Sequence, residues 1–145
     1  MLRSCREGMM TDKEGNQRAL KVLVVEDDPE AAQSLAAMVG KHGHDAQVAY
    51  DGRSALRNLR DEDFQLVLLD IGLPDMDGYE VARRLTLLGR RSLSIVAVTG
   101  YDSDEDRRRC DGAGLDARVV KPCMAGRLEQ ILSAAMAREG HRSRG

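Results

Sequence analysis

Apolar and polar positions follow one another along the chain in blocks. Five short apolar runs stand out: Val22 to Val25, a weaker one at Ala46 to Tyr50, Phe64 to Leu69, Leu93 to Val98 and Ala117 to Val120. Between and after them, the segments 29–42, 52–60, 78–89, 103–113 and 124–138 carry helical patterning. The first keeps Leu35, Ala36, Met38 and Val39 on one stripe, and the last keeps Leu128, Ile131, Leu132, Ala135 and Met136. Near-continuous apolar runs alternating with amphipathic helices predict a parallel sheet covered on both faces, because each strand is then buried front and back.

The second run has polar residues around Val48, as an edge strand does. With right-handed crossovers, the commonest small solution is a flavodoxin-like (βα)5 sandwich, an α/β fold of strand order 2-1-3-4-5. In that order the first and third strands are neighbours where the winding reverses, and ligands collect there, outside the carboxyl ends of the strands. The segment 103–113 is nearly all polar, with only Cys110 and Ala113 available to pack, so it reads as a loosely held helix. Gly114 suits its C-cap.

Composition narrows the reading without deciding it. The 145 residues suit one domain; 42% are apolar and 32% charged, ordinary for a globular chain. The polar start MLRSCREGMMTDKEGNQR lacks the apolar middle of a signal peptide. It gives an expected flexible leader over 1–18, a domain over 19–139 and a flexible tail over 140–145. A net charge of −2 argues against a nucleic-acid partner, and no run approaches the length of a membrane span. The basic clusters at Arg83-Arg84, Arg90-Arg91 and Arg107 to Arg109 read as solvated helix faces. Cys5, Cys110 and Cys123 form no paired spacing, which suggests reduced thiols and a cytoplasmic location. His42 and His44 flank Gly43 at a turn and His141 lies in the basic tail, none with a metal-like partner set.

The chemistry gathers at the strand ends. The first strand is followed by Glu26, Asp27 and Asp28, the third by Asp70, the fourth by Thr99 and the fifth by Lys121 and Pro122. Asp28 before Pro29 fits a helix N-cap, where its carboxylate meets backbone N–H groups and the positive end of the dipole. That leaves Glu26, Asp27 and Asp70 to share one pocket. Two such charges about 4 Å apart repel by roughly 4 kcal/mol at an effective dielectric of ~20, a repulsion that a divalent ion resolves. Hard oxygen ligands without a nearby His or Cys favour Mg2+. A hydroxyl from Thr99 and an ammonium from Lys121 opposite the metal suit an anionic phosphoryl group.

The segments VVEDD at 24–28, LLDIGLPDMDG at 68–78, VTG at 98–100 and KP at 121–122 resemble the receiver domain of two-component response regulators, over about residues 20 to 138. The order, spacing and strand context of these motifs agree together. The resemblance implies a phosphoacceptor switch rather than an enzyme, taking a phosphoryl group from the phosphohistidine of a histidine kinase or histidine phosphotransfer protein and then engaging a downstream protein not named by these residues. It makes Asp70 the acceptor, with Mg2+ held by Glu26, Asp27, Asp70 and the Gly72 backbone carbonyl. Thr99 and Lys121 become the phosphate-binding and switch groups, and the Lys121–Pro122 bond is expected to be cis. Gly72 and Tyr101 stand where the family tunes the lifetime of the phosphate. Pro74 and Asp77-Gly78 read as structural, stiffening the loop and starting the third helix.

The chain departs from the family where most receivers carry an aromatic ring, three residues before the lysine. Arg118 stands there, an altered switch position, and Cys123 follows the Lys-Pro pair. An arginine does not bury its charge as a tyrosine buries its ring, which puts the usual threonine–aromatic coupling in question. Arg118 is the best support for the alternative, a pseudo-receiver scaffold that is never phosphorylated. A small phosphatase or nucleotide enzyme is disfavoured, because no glycine-rich loop follows the first strand and no second acid stands two residues after Asp70. Only REGHRSRG follows the last helical stripe. The expectation is a stand-alone regulator or the terminal receiver of a hybrid sensor kinase.

Overall fold

The computed structural model describes residues 19–87, 93–100, 108 and 114–144. The expected leader 1–18, Tyr101 and the helix expected over 103–113, Arg108 apart, lie outside the described residues. Five parallel strands, β1 (Lys21–Val25), β2 (Asp45–Ala49), β3 (Leu66–Asp70), β4 (Ser94–Thr99) and β5 (Ala117–Val120), form one sheet in the order β2-β1-β3-β4-β5. Among the described residues four helices of several turns accompany them: α1 (Pro29–Lys41), α2 (Gly52–Asp61), α3 (Gly78–Leu87) and α4 (Ala125–Arg144). This is the expected flavodoxin-like order.

The two faces of the sheet follow from the period-2 alternation of side chains along each strand. Leu23, Val25, Val67, Leu69, Ile95 and Ala97 point to one side and pack with Ala55 and Leu59 of α2 and Val81 and Leu85 of α3. Val22, Val24, Leu66, Leu68, Val96 and Val98 point to the other, against Val39 of α1 and Leu128, Ile131 and Leu132 of α4. β1, β3 and β4 are thus buried on both faces, whereas β2 carries exposed and half-buried positions, as expected of an edge.

Local rules set several element ends. The Asp28 side chain accepts the Ala31 N–H at 3.3 Å, with Pro29 in the first turn, and Asp51 caps α2 through the Ser54 N–H at 2.8 Å. The backbone of α4 is helical through Arg144, beyond the predicted end at 138. Arg138 on α4 bridges Asp116 at 2.9 Å and Ser94 at 3.0 Å, fixing the helix across the amino ends of β4 and β5. Among the described residues no helix is long and apolar enough to cross a membrane.

His44, read from sequence as a turn residue, does lie in the loop before β2 but is buried there, and its Nδ1 accepts the Leu20 N–H at 3.0 Å. Burial, with the neighbouring His42 charge, lowers its pKa below the ordinary imidazole value. The unfolded chain therefore binds this proton more readily, and stability is lost as pH falls through about 6.5, the ordinary imidazole value. We expect the melting temperature to drop between about pH 7.5 and about pH 5.5 by more in the wild type than in His44→Gln, measured by circular dichroism.

Candidate functional site

The ends of the strands bring the polar residues together. Asp70 is the last residue of β3, beside Val98 of β4, and Thr99 ends β4 beside Val120. Glu26 follows β1 directly and its N–H donates to the Ala49 carbonyl at 3.0 Å, so the chain turns only after it. Lys121 follows β5 and its N–H donates to the Thr99 carbonyl at 2.7 Å. The result is one pocket: carboxylate oxygens of Glu26, Asp27 and Asp70 all lie within 4.8 Å of one another. Glu26 and Asp70 are buried, Asp27 is exposed, and Thr99 is buried beside them at the sheet edge.

Lys121 reaches into this cluster. Its Nζ stands 3.1 Å from Glu26 Oε1 and 3.2 Å from Asp70 Oδ1. Burial pushes the Glu26 pKa above the usual carboxylate value and the Asp70 charge adds to this, while the Asp28 N–H, donating at 3.1 Å, and the Lys121 ammonium work the other way. Burial also works against the charge on Lys121, but the Glu26 and Asp70 carboxylates outweigh it and hold that ammonium above the usual lysine value. Three carboxylates against one ammonium leave an excess of two negative charges. Each pair of carboxylates at such a separation repels by about 3 kcal/mol at an effective dielectric of ~20. A dication cancels that excess, and the all-oxygen donor set, two carboxylates buried and one open to solvent, fits a hard one such as Mg2+.

The loop after β3 is built around Asp70. The Gly72 N–H donates to Asp70 Oδ1 at 3.2 Å, tying the residue after next to the carboxylate itself. The Lys121–Pro122 peptide is cis. Asp77 Oδ1 accepts the Tyr79 N–H at 2.9 Å and so starts α3, as the sequence predicts. Gly78 carries more than a helix start: a Cβ there would stand 2.6 Å from Ile71 Cα and 2.8 Å from the Asp70 carbonyl oxygen, so only glycine lets α3 approach the end of β3 so closely. Arg118 lies half-buried in β5 opposite Ala97. Cys123 is half-buried, and burial pushes its thiol up, away from reactivity.

One long-range contact near the site escaped the sequence reading. Asp75 bonds the backbone of α2, far away in sequence, and no local spacing signals such a contact.

Comparison with known proteins agrees with this geometry. The profile of the "Response regulator receiver domain" family matches residues 22–133. The chain is similar to the sensor histidine kinase RcsC of Salmonella typhi, 35% identical over 124 residues, which span 85% of this chain and 13% of that protein. It is 37% identical over 117 residues to the sensory transduction protein RegX3 of Mycolicibacterium smegmatis, covering 81% of this chain and 50% of that one. The chain thus spans half or less of the length of these relatives. Among solved structures, a CheY-like response regulator receiver domain from Methanospirillum hungatei JF-1 superposes with a TM-score of 0.78 at 31% identity, covering 85% of this chain and 98% of the other. The chain belongs to the response regulator receiver domain family, the receiver class of two-component signalling.

Proposed function

We propose that the domain is a phosphoacceptor switch in which Asp70 takes a phosphoryl group from a phosphohistidine. The observation that carries this reading is the carboxylate cluster with Lys121 3.2 Å from Asp70, at the point where the sheet winding reverses. An Asp70 carboxylate oxygen attacks phosphorus, the P–N bond to the donor imidazole breaks, and the imidazole leaves as the phosphoryl oxygens remain on an acyl phosphate. The chain's tasks are positioning and charge neutralisation. Lys121 is placed to release its ion pair with Asp70 and pair with the new phosphoryl oxygens, and Thr99 supplies a hydroxyl from the neighbouring strand end. Glu26, Asp27, Asp70 and the Gly72 carbonyl are the residues that would hold Mg2+. When bound, that ion neutralises the charge gathered by acceptor and phosphoryl group.

The partners that follow are a histidine kinase or histidine phosphotransfer protein upstream and a protein downstream, in the cytoplasm, with no enzymatic turnover by the domain itself. The similarity to RcsC favours origin in a hybrid kinase, and that to RegX3 a response regulator. The half-buried Arg118 in β5 supports the second reading, an unphosphorylated scaffold.

Intact mass after treatment with acetyl phosphate tests the proposal. The wild type gains one phosphoryl group with Mg2+ and none with a chelator, and hydroxylamine removes it, as expected of an acyl phosphate. Consumption of acetyl phosphate without an adduct means an enzyme. No adduct and no consumption means the scaffold.

A further inference from the structure

The loop between β3 and α3 is held at both ends by its own neighbours, through Gly72 N–H to Asp70 Oδ1 at 3.2 Å and Gly78 N–H to the Ile71 carbonyl at 3.1 Å. A third hold comes from a different element. Asp75 Oδ1 accepts the Gly52 N–H at 2.8 Å and Oδ2 accepts the Arg53 N–H at 3.1 Å, the first two amides of α2. These are amides that a helix cannot satisfy by itself, and charge-assisted bonds to them are the stronger kind. The contact is close as well as polar: a Cβ on Gly52 would stand 2.9 Å from Met76 Cγ and 3.2 Å from Met76 Sδ. Asp51 satisfies Ser54 N–H of the same helix end but touches the loop nowhere in this bonding pattern.

We propose that Asp75 is a positioning residue of the acceptor site: its carboxylate straps the loop to α2 and thereby sets where the Gly72 carbonyl stands relative to Asp70. This rests on the reading of the site as Mg2+-dependent. Gly72 is three residues before Asp75 on the same short loop, and its N–H is already fixed to the acceptor. Cutting the strap frees the middle of the loop while leaving every carboxylate of the cluster in place.

The test compares Asp75→Ala and Asp75→Asn with Asp51→Ala, which removes a bond at the same helix end without freeing the loop. Calorimetric Mg2+ titration of each folded protein gives the half-saturating concentration. Asp75→Ala raises it about five- to tenfold, near the low end of what outer partners of a metal site contribute. Asp75→Asn, which keeps one acceptor oxygen, falls between, and Asp51→Ala stays at the wild-type value. At saturating Mg2+ the acetyl phosphate labelling rate of Asp75→Ala returns towards the wild type, whereas a loss that saturation does not repair contradicts a positioning role. In the metal-free protein, amide hydrogen exchange across residues 71–77 speeds up in Asp75→Ala and not in Asp51→Ala. Equal Mg2+ shifts in the Asp75→Ala and Asp51→Ala proteins, or unchanged exchange in Asp75→Ala, overturn the proposal. If the wild type binds no Mg2+, the metal reading falls by itself, and the exchange arm still decides whether Asp75 holds the loop. Should Asp75→Ala fail to fold, Asp75→Asn carries both measurements.

Discussion

Asp70→Asn is expected to take up no phosphoryl group from acetyl phosphate under conditions that label the wild type fully. The substitution keeps the volume and planar shape of the side chain and one oxygen for the Gly72 N–H, 3.2 Å away in the wild type. What it removes is the negative charge and nucleophilic oxygen, so the chemistry stops while the packing stays. Asp70 is 5% exposed, which would ordinarily make a polar change costly. Here the loss of one carboxylate also relieves repulsion with Glu26 and Asp27, so the melting temperature should hold within a few degrees. Intact mass and thermal melting on the same sample check both halves. Labelling that survives would place the acceptor on Glu26 or Asp27 and displace the central assignment.

Lys121→Met is expected to separate metal binding from phosphoryl transfer. Nζ of Lys121 lies within 3.2 Å of oxygens on both Glu26 and Asp70, so it occupies the same carboxylates that a dication needs. Removing the ammonium leaves three carboxylates uncompensated and should tighten Mg2+ binding. The same removal takes away the cation that meets the incoming phosphoryl oxygens, and transfer should slow by about a hundredfold, the scale on which one preorganised charge-stabilising group acts. Methionine keeps most of the apolar stem, so packing is preserved. Mg2+ titration and the labelling rate at saturating Mg2+ read the two effects independently. Weaker binding together with slower transfer would show that Lys121 organises the pocket rather than competing in it.

The pH behaviour of this pair carries its own sign. Because the Glu26 pKa is raised by burial, its charge is lost at a higher pH than that of an ordinary carboxylate, so any Mg2+ affinity of the cluster is expected to fall early on acidification. The raised Lys121 pKa keeps its ion pairs through the alkaline range; their contribution to stability is full below about 10.4, the ordinary lysine value, and lost only as pH rises through the still higher folded value. Lys121→Met removes the second effect and strengthens the first, since Glu26 loses the ammonium that opposed its desolvation.

Most of the scaffold was legible in the chain because it rests on short-range rules. Val22 to Val25 and Leu66 to Leu69 are apolar at every position, which only a doubly covered strand tolerates, and the polar content of β2 marked it as an edge. Asp28 before Pro29 defines a cap by local stereochemistry, with no knowledge of the rest of the molecule needed. The site acids could be placed because each stands at a strand end and the sheet order brings those ends together. The contacts that could not be read are those between segments whose separation carries no periodicity. His44 is the turn residue and Gly78 the helix start that the sequence indicates, but the burial of His44 against the Leu20 N–H and the close approach of Ile71 and Asp70 to Gly78 carried no local signal, and neither did the contact of Asp75 with α2.

By itself, then, the order of residues determined the sheet, its two cores and the acidic pocket, because burial pattern and strand-end position are properties of a few neighbouring residues at a time. The partners of Lys121, the neutral buried imidazole of His44 and the strap from Asp75 to α2 were decided only when the chain closed, because each depends on distances of a few ångströms between groups that the sequence holds far apart.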